Sequence, residues 1–400
     1  MDFFAVALDD AAFLLRGAHV VAAILMVGSA FALLKLDFGM KPRAEDPTPQ
    51  SLVLHAGAGF RFLRARDADA AERALSFKWE TYATWASGFA LLCLVFCAAP
   101  QLYLIDPQLW NAAPWAAIAA ALIPLPLTWL AYDWLCKKSG LSGDALLVAL
   151  FLFSAVLGLM LTHLFAGRAA YVLIGAHLGT LMVANIAHVV APVQKRRIAS
   201  LRAGLPADEA DARAAGARAL HNQYLALPTL FFMLSGHAPL LFAGANNGVA
   251  AVFFIAGLFL TRRLWLKLSR GLGVDWRLGG AAAACLAFGF GLSAPSVPKP
   301  GGEARNASQA IALAVRPDFS EAQKIVDGHC VVCHAARPQM AGLATAAGGL
   351  DFSTPRSIAL HRGDILRAAV YSRAMPPPGA APALGEQEKN LLIRWAQIER

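Results

Sequence analysis

Charge is scarce in this chain. Asp, Glu, Lys and Arg make up 15% of its 400 residues against 58% hydrophobic, and the mean hydropathy is +0.52. One soluble domain needs more charge on its surface, so the composition excludes that class and points to a largely membrane-embedded chain. A basic leader is also missing. The N-terminus, Met1-Asp2-Phe3-Phe4, is acidic, so no cleavable signal peptide is expected and the first apolar run should stay as a membrane helix. Cysteine is sparse. Cys93, Cys97, Cys136 and Cys285 lie in or at the ends of apolar runs and read as small buried side chains. A disulfide framework is not expected, with Cys93 and Cys97, one helical turn apart, as a weak exception. No internal repeat stands out.

What is abundant is long apolar sequence. Eight runs are long enough to cross a bilayer, near 12–35, 80–99, 112–136, 144–166, 169–191, 222–243, 247–268 and 277–294. A net charge of +9 could suit a nucleic-acid partner, but the Lys and Arg sit between the apolar runs, which is a topological signal instead. No nucleic-acid partner is expected. Lys41, Arg43, Arg61, Arg64, Arg66, Arg73 and Lys78 follow run one, Lys137 and Lys138 run three, and Lys267 and Arg270 run seven. Lys195, Arg196, Arg197, Arg202, Arg213 and Arg218 follow run five. The intervening loops hold almost no Lys or Arg, Arg168 excepted. By the positive-inside rule both termini fall outside the cytoplasm.

Beyond run eight the composition changes. Residues 295–316 are rich in Pro and Gly and read as a linker between a membrane part, 1–294, and a small helical domain, 317–400. That domain contains Cys330-Val331-Val332-Cys333-His334, a C-x-x-C-H run. Two thiols at this spacing can form thioethers to one haem, and the following imidazole can bind its iron. A zinc site would need a second ligand pair, and no cysteine follows Cys333; a redox dithiol leaves His334 unexplained. One covalent haem c is therefore expected, on Cys330 and Cys333 with His334 as an axial ligand. For the other axial position Met375, in Ala374-Met375-Pro376-Pro377-Pro378, is favoured over Met340, with His361 a weaker candidate. The layout is that of a small class I cytochrome c. Covalent haem attachment outside the cytoplasm agrees with the charge-derived topology and places this domain in the periplasm of a bacterial inner-membrane protein.

Ionisable residues inside apolar runs are costly and so are functional candidates. On this topology His19, His163, His177 and His237 fall toward the outer side, and His55, Glu80, His188 and His221 toward the cytoplasmic side. The first four could line a site or carry a b-type haem, and His177 and His188, eleven apart, share a face of an ideal helix. The alternative for each is a hydrogen-bonded bundle histidine. Trp110, Trp115, Tyr132 and Trp134 read as interfacial anchors.

Several stretches go further. They are Phe77-Lys78-Trp79-Glu80-Thr81-Tyr82-Ala83-Thr84-Trp85-Ala86-Ser87-Gly88, Ile105-Asp106-Pro107, Gly179-Thr180-Leu181-Met182-Val183-Ala184-Asn185-Ile186 with Pro192-Val193-Gln194-Lys195, and His221-Asn222-Gln223-Tyr224-Leu225-Ala226-Leu227-Pro228. Together they resemble the bacterial membrane-bound urate oxidase (urate hydroxylase) family, a multi-span domain fused to a cytochrome c. The resemblance implies an all-α polytopic bundle of about eight spans. It also implies oxidation of urate to 5-hydroxyisourate with water, in purine catabolism, with electrons leaving through the haem to a downstream cytochrome c or terminal oxidase. Matching its motifs, Glu80, Asn185, His188, His221 and Asn222 are the candidates for substrate contact or proton handling. The first helix is poorer in Gly, Trp and Tyr than the family pattern, which leaves a related purine as an alternative substrate. A second reading from another class is a non-catalytic conduit in which membrane b haems feed the haem c; a third is a haem-based sensor or assembly factor.

Overall fold

The computed structural model describes residues 3–40, 50–55, 58–63, 78–106, 109–206, 208–242, 244, 246–293, 319–340, 343, 346–371, 375–377 and 379–397. Helix dominates them. In chain order α1 is Phe3–Gly39, α2 Lys78–Leu91, α3 Pro114–Leu122, α4 Pro124–Lys138, α5 Gly143–Leu164 and α6 Gly167–Asn185. They are followed by α7 Ala191–Arg202, α8 Glu209–Leu234, α9 Asn247–Ser269, α10 Trp276–Ser293, α11 Phe319–His329 and α12 Glu386–Gln397. Pro114 and Pro124 stand in the first turns of α3 and α4, where the missing N–H costs no helical bond. α2 runs on as a π-helical stretch, Leu92–Cys97, and a second one, Ile186–Val190, joins α6 to α7.

Six segments are long and apolar enough to cross a bilayer: Asp10–Gly39, Lys78–Cys97, Pro114–Lys138, Gly143–Leu164, Gly167–Arg202 and Asn247–Ser269. The other two expected spans are helical but less apolar. α8 starts at Glu209 and ends at Leu234, short of the expected 243, and buries Arg218, His221 and Gln223 against its neighbours. A helix enclosed by protein need not be apolar all round. α10 is small and glycine-rich because it lies tightly on α9: a Cβ at Gly257 would come 2.7 Å from Leu286, and one at Gly289 2.8 Å from Phe254. Around the outside, Phe13, Leu14, Ile24, Trp79, Trp115, Val156 and Met160 are exposed, an apolar surface suited to lipid tails.

α6 and α8 form the centre. Leu173, Ile174, Leu178, Leu181, Leu225 and Phe232 are fully buried there, with Tyr171 and Phe232 edge to face at 5.1 Å. One element departs from an all-helical reading. Gln50–His55 (β1) and Ala58–Leu63 (β2) pair as an antiparallel hairpin, His55 opposite Ala58. Leu52 and Leu54 on one side of the turn and Phe60 and Phe62 on the other recur every second residue, a strand period.

A second, separate core joins Ala322, Ile325, Val326, Phe352, Ile358, Ile365, Val370, Leu384, Leu392 and Ile393. α11 packs on α12, where Phe319 and Trp395 approach to 6.0 Å. The expected linker, 295–316, and most of the basic residues after run one lie outside the described residues.

Candidate functional site

Where α4, α6 and α8 meet, the polar groups of the bundle converge on one phenol. Tyr132 Oη lies 2.6 Å from His221 Nδ1 and accepts a hydrogen bond from Asn185 Nδ2 at 3.2 Å. With its lone pair used by Asn185, the hydroxyl gives its own hydrogen to His221, which keeps its proton on Nε2. Asn185 Nδ2 also donates to Asn222 Oδ1 at 2.9 Å, and Asn222 donates to the Met182 carbonyl at 2.9 Å. Arg218 completes the cluster. Its guanidinium lies 4.7 Å over the Tyr132 ring and donates to Asn185 Oδ1 at 3.3 Å and to Asp133 Oδ1 at 2.6 Å, with Lys137 2.7 Å from the other Asp133 oxygen. A cation and a phenol–imidazole hydrogen bond in an enclosed place can move one proton between Tyr132 and His221 and tolerate charge appearing there.

Three of the five motif residues, Asn185, His221 and Asn222, are thus brought together. Glu80 and His188 are not hydrogen-bonded to them. Glu80 is half-buried on α2 and its Oε2 has no hydrogen-bond partner among the described residues. His188 is exposed, its ring 4.7 Å from that of Trp129. It does not share the face of His177, because the π-helical stretch Ile186–Val190 adds a residue and turns the helix between them.

Two corrections concern residues of the cluster itself. Tyr132 is fully buried and is no interfacial anchor, whereas Trp115 and Trp134 do face outward. Arg218 is 4% exposed and belongs to this network instead of the basic loop. Both were legible only in part: an acid at Asp133 and a cation at Arg218 flank apolar sequence, but nothing in the spacing joins them. The four membrane-part cysteines are free and only half-buried.

Of the four histidines read as haem or site ligands, two point away from the interior. His163 is exposed and bonds the Leu159 carbonyl of its own helix at 2.7 Å, and His237 is exposed in the turn Ser235–His237. The other two have the donor chemistry a metal needs. Thr128 Oγ1 spends its hydrogen on the Pro124 carbonyl at 2.8 Å, so at 2.9 Å from His177 it accepts from Nδ1–H. That leaves the Nε2 lone pair of His177 buried and without a partner. His19 is alike: Nδ1 donates to the Thr84 carbonyl at 3.0 Å and Nε2 is left as the acceptor nitrogen. Anchoring one ring nitrogen while freeing the other is how iron-binding histidines are held, so His177 and His19 fit a b-type haem by donor type.

A further polar group was missed from sequence. Arg262 on α9 is 2% exposed, lies 3.9 Å over the Phe31 ring and 5.0 Å from that of Trp265, and donates to Gln223 Oε1. Gln223 in turn donates to the Ala30 carbonyl of α1 at 3.2 Å. An arginine within an apolar run was itself the signal.

In the second core, Cys330 ends the first turn after α11, and His334 N–H donates to the Cys330 carbonyl at 2.8 Å. This tight turn sets both thiols and the imidazole on one short loop. His334 is buried, and its Nδ1 bonds the Leu350 carbonyl at 3.1 Å, which leaves Nε2 for a metal. Burial holds the imidazole below its usual pKa, so it stays neutral as a ligand must, and pushes the Cys330 thiol up to about 12. Met375 packs against the same hydrophobic core as Cys330, and its N–H donates to Ala368 O at 3.0 Å. Met340 does not join that core; its N–H bonds back to Val332 O at 3.1 Å. His361 Nδ1 is paired with Asp364 at 3.1 Å. The residues present fit a covalently held haem c.

The sequence model of the family described as Urate oxidase N-terminal matches residues 5–291, which takes in the whole membrane part and stops before the second core. No curated protein and no solved structure matches the chain.

Proposed function

We propose, since the chain belongs to the urate oxidase N-terminal family, that it oxidises urate to 5-hydroxyisourate at the bacterial inner membrane. Water supplies the hydroxyl, and each turnover releases two electrons and two protons. Haem c, when bound at Cys330 and Cys333, supplies the electron acceptor and passes the electrons to a downstream cytochrome c or terminal oxidase. The observation that supports this most is the union, in one chain, of a family match over 5–291 with a C-x-x-C-H loop whose imidazole Nε2 is free.

The roles of the chain's own residues follow from their placement. His334, with Nδ1 tied to Leu350, and Met375, seated on the core beside Cys330, are the axial ligands. Tyr132 and His221 form the proton relay, Asn185 and Asn222 hold its geometry, and Arg218 stabilises negative charge on the phenol side. Glu80 and His188, on elements that pack together at the π-helical stretch, are the remaining acid–base groups. His177 and His19 would hold a b-type haem. The second core lies in the periplasm, as the charge pattern of the loops implies.

The test is anaerobic. Purified full-length protein mixed with urate should develop a ferrous c-type spectrum with one hydroxyisourate per two electrons delivered to a cytochrome c acceptor. Absence of reduction by urate, with reduction by dithionite intact, would overturn the reading. Pyridine haemochrome spectra on the same sample count the haems of each type.

A further inference from the structure

Between α1 and α9 lies a cavity of about 480 Å³, lined by Phe31, Leu34, Lys35, Arg262, Trp265 and Ser269 among others. This is within the range of roughly 300–1,000 Å³ common to small-molecule sites. Three features set it apart from a lipid-facing groove. First, a guanidinium lines it that is almost wholly buried, and Arg262 Nε has no hydrogen-bond partner among the described residues. A buried charge with an unused donor is expensive, and its cost is relieved by an anion. Second, no carboxylate pairs with Arg262 or Lys35 among the described residues, so the wall carries two cations without a counter-charge. Third, the walls are aromatic: Phe31 and Trp265 meet edge to face at 5.2 Å, beneath the guanidinium.

From these features we infer that the α1–α9 cavity binds a planar heterocyclic anion, and that under the function proposed above, on which this identification rests, the anion is urate. Arginine presents N–H donors in a rigid fork that matches two adjacent acceptors on one edge of a flat ring. Gln223 fixes that fork from behind by accepting from Nη2. Lys35, exposed at the rim, adds long-range attraction for the incoming anion. Gln223 follows His221 and Asn222 directly, so one stretch of α8 serves both the cavity and the Tyr132 network. Lys35 and Arg262 stand near the C-terminal ends of α1 and α9, the ends followed by basic loops, so the cavity opens toward the cytoplasmic face on the charge-derived topology.

The experiment uses full-length protein in phosphatidylcholine nanodiscs with xanthine as a flat oxopurine probe. Xanthine should bind saturably and quench tryptophan emission, and Trp265→Phe should remove that quenching although the other tryptophans remain. Arg262→Gln should weaken binding at least about ten-fold, the loss of one charge-assisted hydrogen bond, and Lys35→Ala, at an exposed position with no folding role, by a smaller factor. Unchanged xanthine affinity in Lys35→Ala and Arg262→Gln would overturn the inference, as would displacement of xanthine by phosphatidylglycerol but not by urate. Urate-driven haem reduction separates the two readings. If the wild type is reduced and Arg262→Gln has the same KM, the cavity is not the substrate site. If urate reduces nothing yet Arg262→Gln loses xanthine, the anion site stands and the proposed function falls.

Discussion

Tyr132 and His221, 89 residues apart in sequence, share a hydrogen bond of 2.6 Å in the buried heart of the bundle. The phenol is the only group that touches both His221 and Asn185 among the described contacts, so it couples α4, α6 and α8.

Tyr132→Phe should therefore have two effects. Removing the hydroxyl strands His221 Nδ1 and one Asn185 N–H in a buried place, at a cost of about 1–3 kcal/mol, visible as a lower melting temperature in detergent. Urate turnover should fall mainly in kcat, with KM within about two-fold. A variant as stable and as active as wild type would remove the phenol from the relay.

The Asp133–Arg218 pair gives a second expectation. The side chains are 12% and 5% exposed and joined at 2.6 Å. Asp133→Ala leaves a buried cation partly uncompensated and should destabilise by about 3–5 kcal/mol, while adding Arg218→Met should recover much of that loss. Additive damage in the double variant would show that the two residues do not act as a pair.

At Gly88 the limit is space. A Cβ there would sit 2.8 Å from His19 Cε1, so Gly88→Ala must turn the imidazole away from Thr84 and Ser87. Should a b-type haem be present, its yield should drop in this variant while the c-type signal holds. Equal b-type yield would exclude His19 as a ligand.

For the second core, Cys330→Ala with Cys333→Ala should abolish covalent haem staining, and Met375→Ala should remove the weak absorption band of iron–thioether coordination and lower the potential. Met340→Ala should do neither, because Met340 is held in the loop by its bond to Val332.

Acid sensitivity of this core has a local source as well. Glu388 accepts from the Gly385 N–H at 2.7 Å and pairs with His329 at 3.0 Å, which holds its carboxyl below the usual range. A carboxylate with a depressed folded pKa stabilises fully above its unfolded value of about 4.3 and loses that contribution as pH falls through the folded one. Amide protection of α12 in Glu388→Gln should be weaker than wild type at neutral pH and converge with it in acid. A gap that persists in acid would place the effect in packing.

Sequence alone determined what depends on short-range order: the apolar runs, the C-x-x-C-H turn, the strand-like period of the hairpin only in hindsight, and the motifs that led to the family. It also singled out Asn185, His221 and Asn222, since polar groups in apolar runs are costly wherever they lie. The tertiary structure decided what those groups meet. Tyr132 reads as an anchor, Arg218 as a loop charge and Arg262 as a span-end residue until α4, α8, α9 and α1 are packed. Each then proves buried, because the free energy of a polar group in a membrane protein is set by its partners across helices, and helix pairing leaves no mark in local spacing. The π-helical stretch that parts His188 from His177 is of the same kind: a single extra residue in a turn, invisible in composition, re-aims everything beyond it.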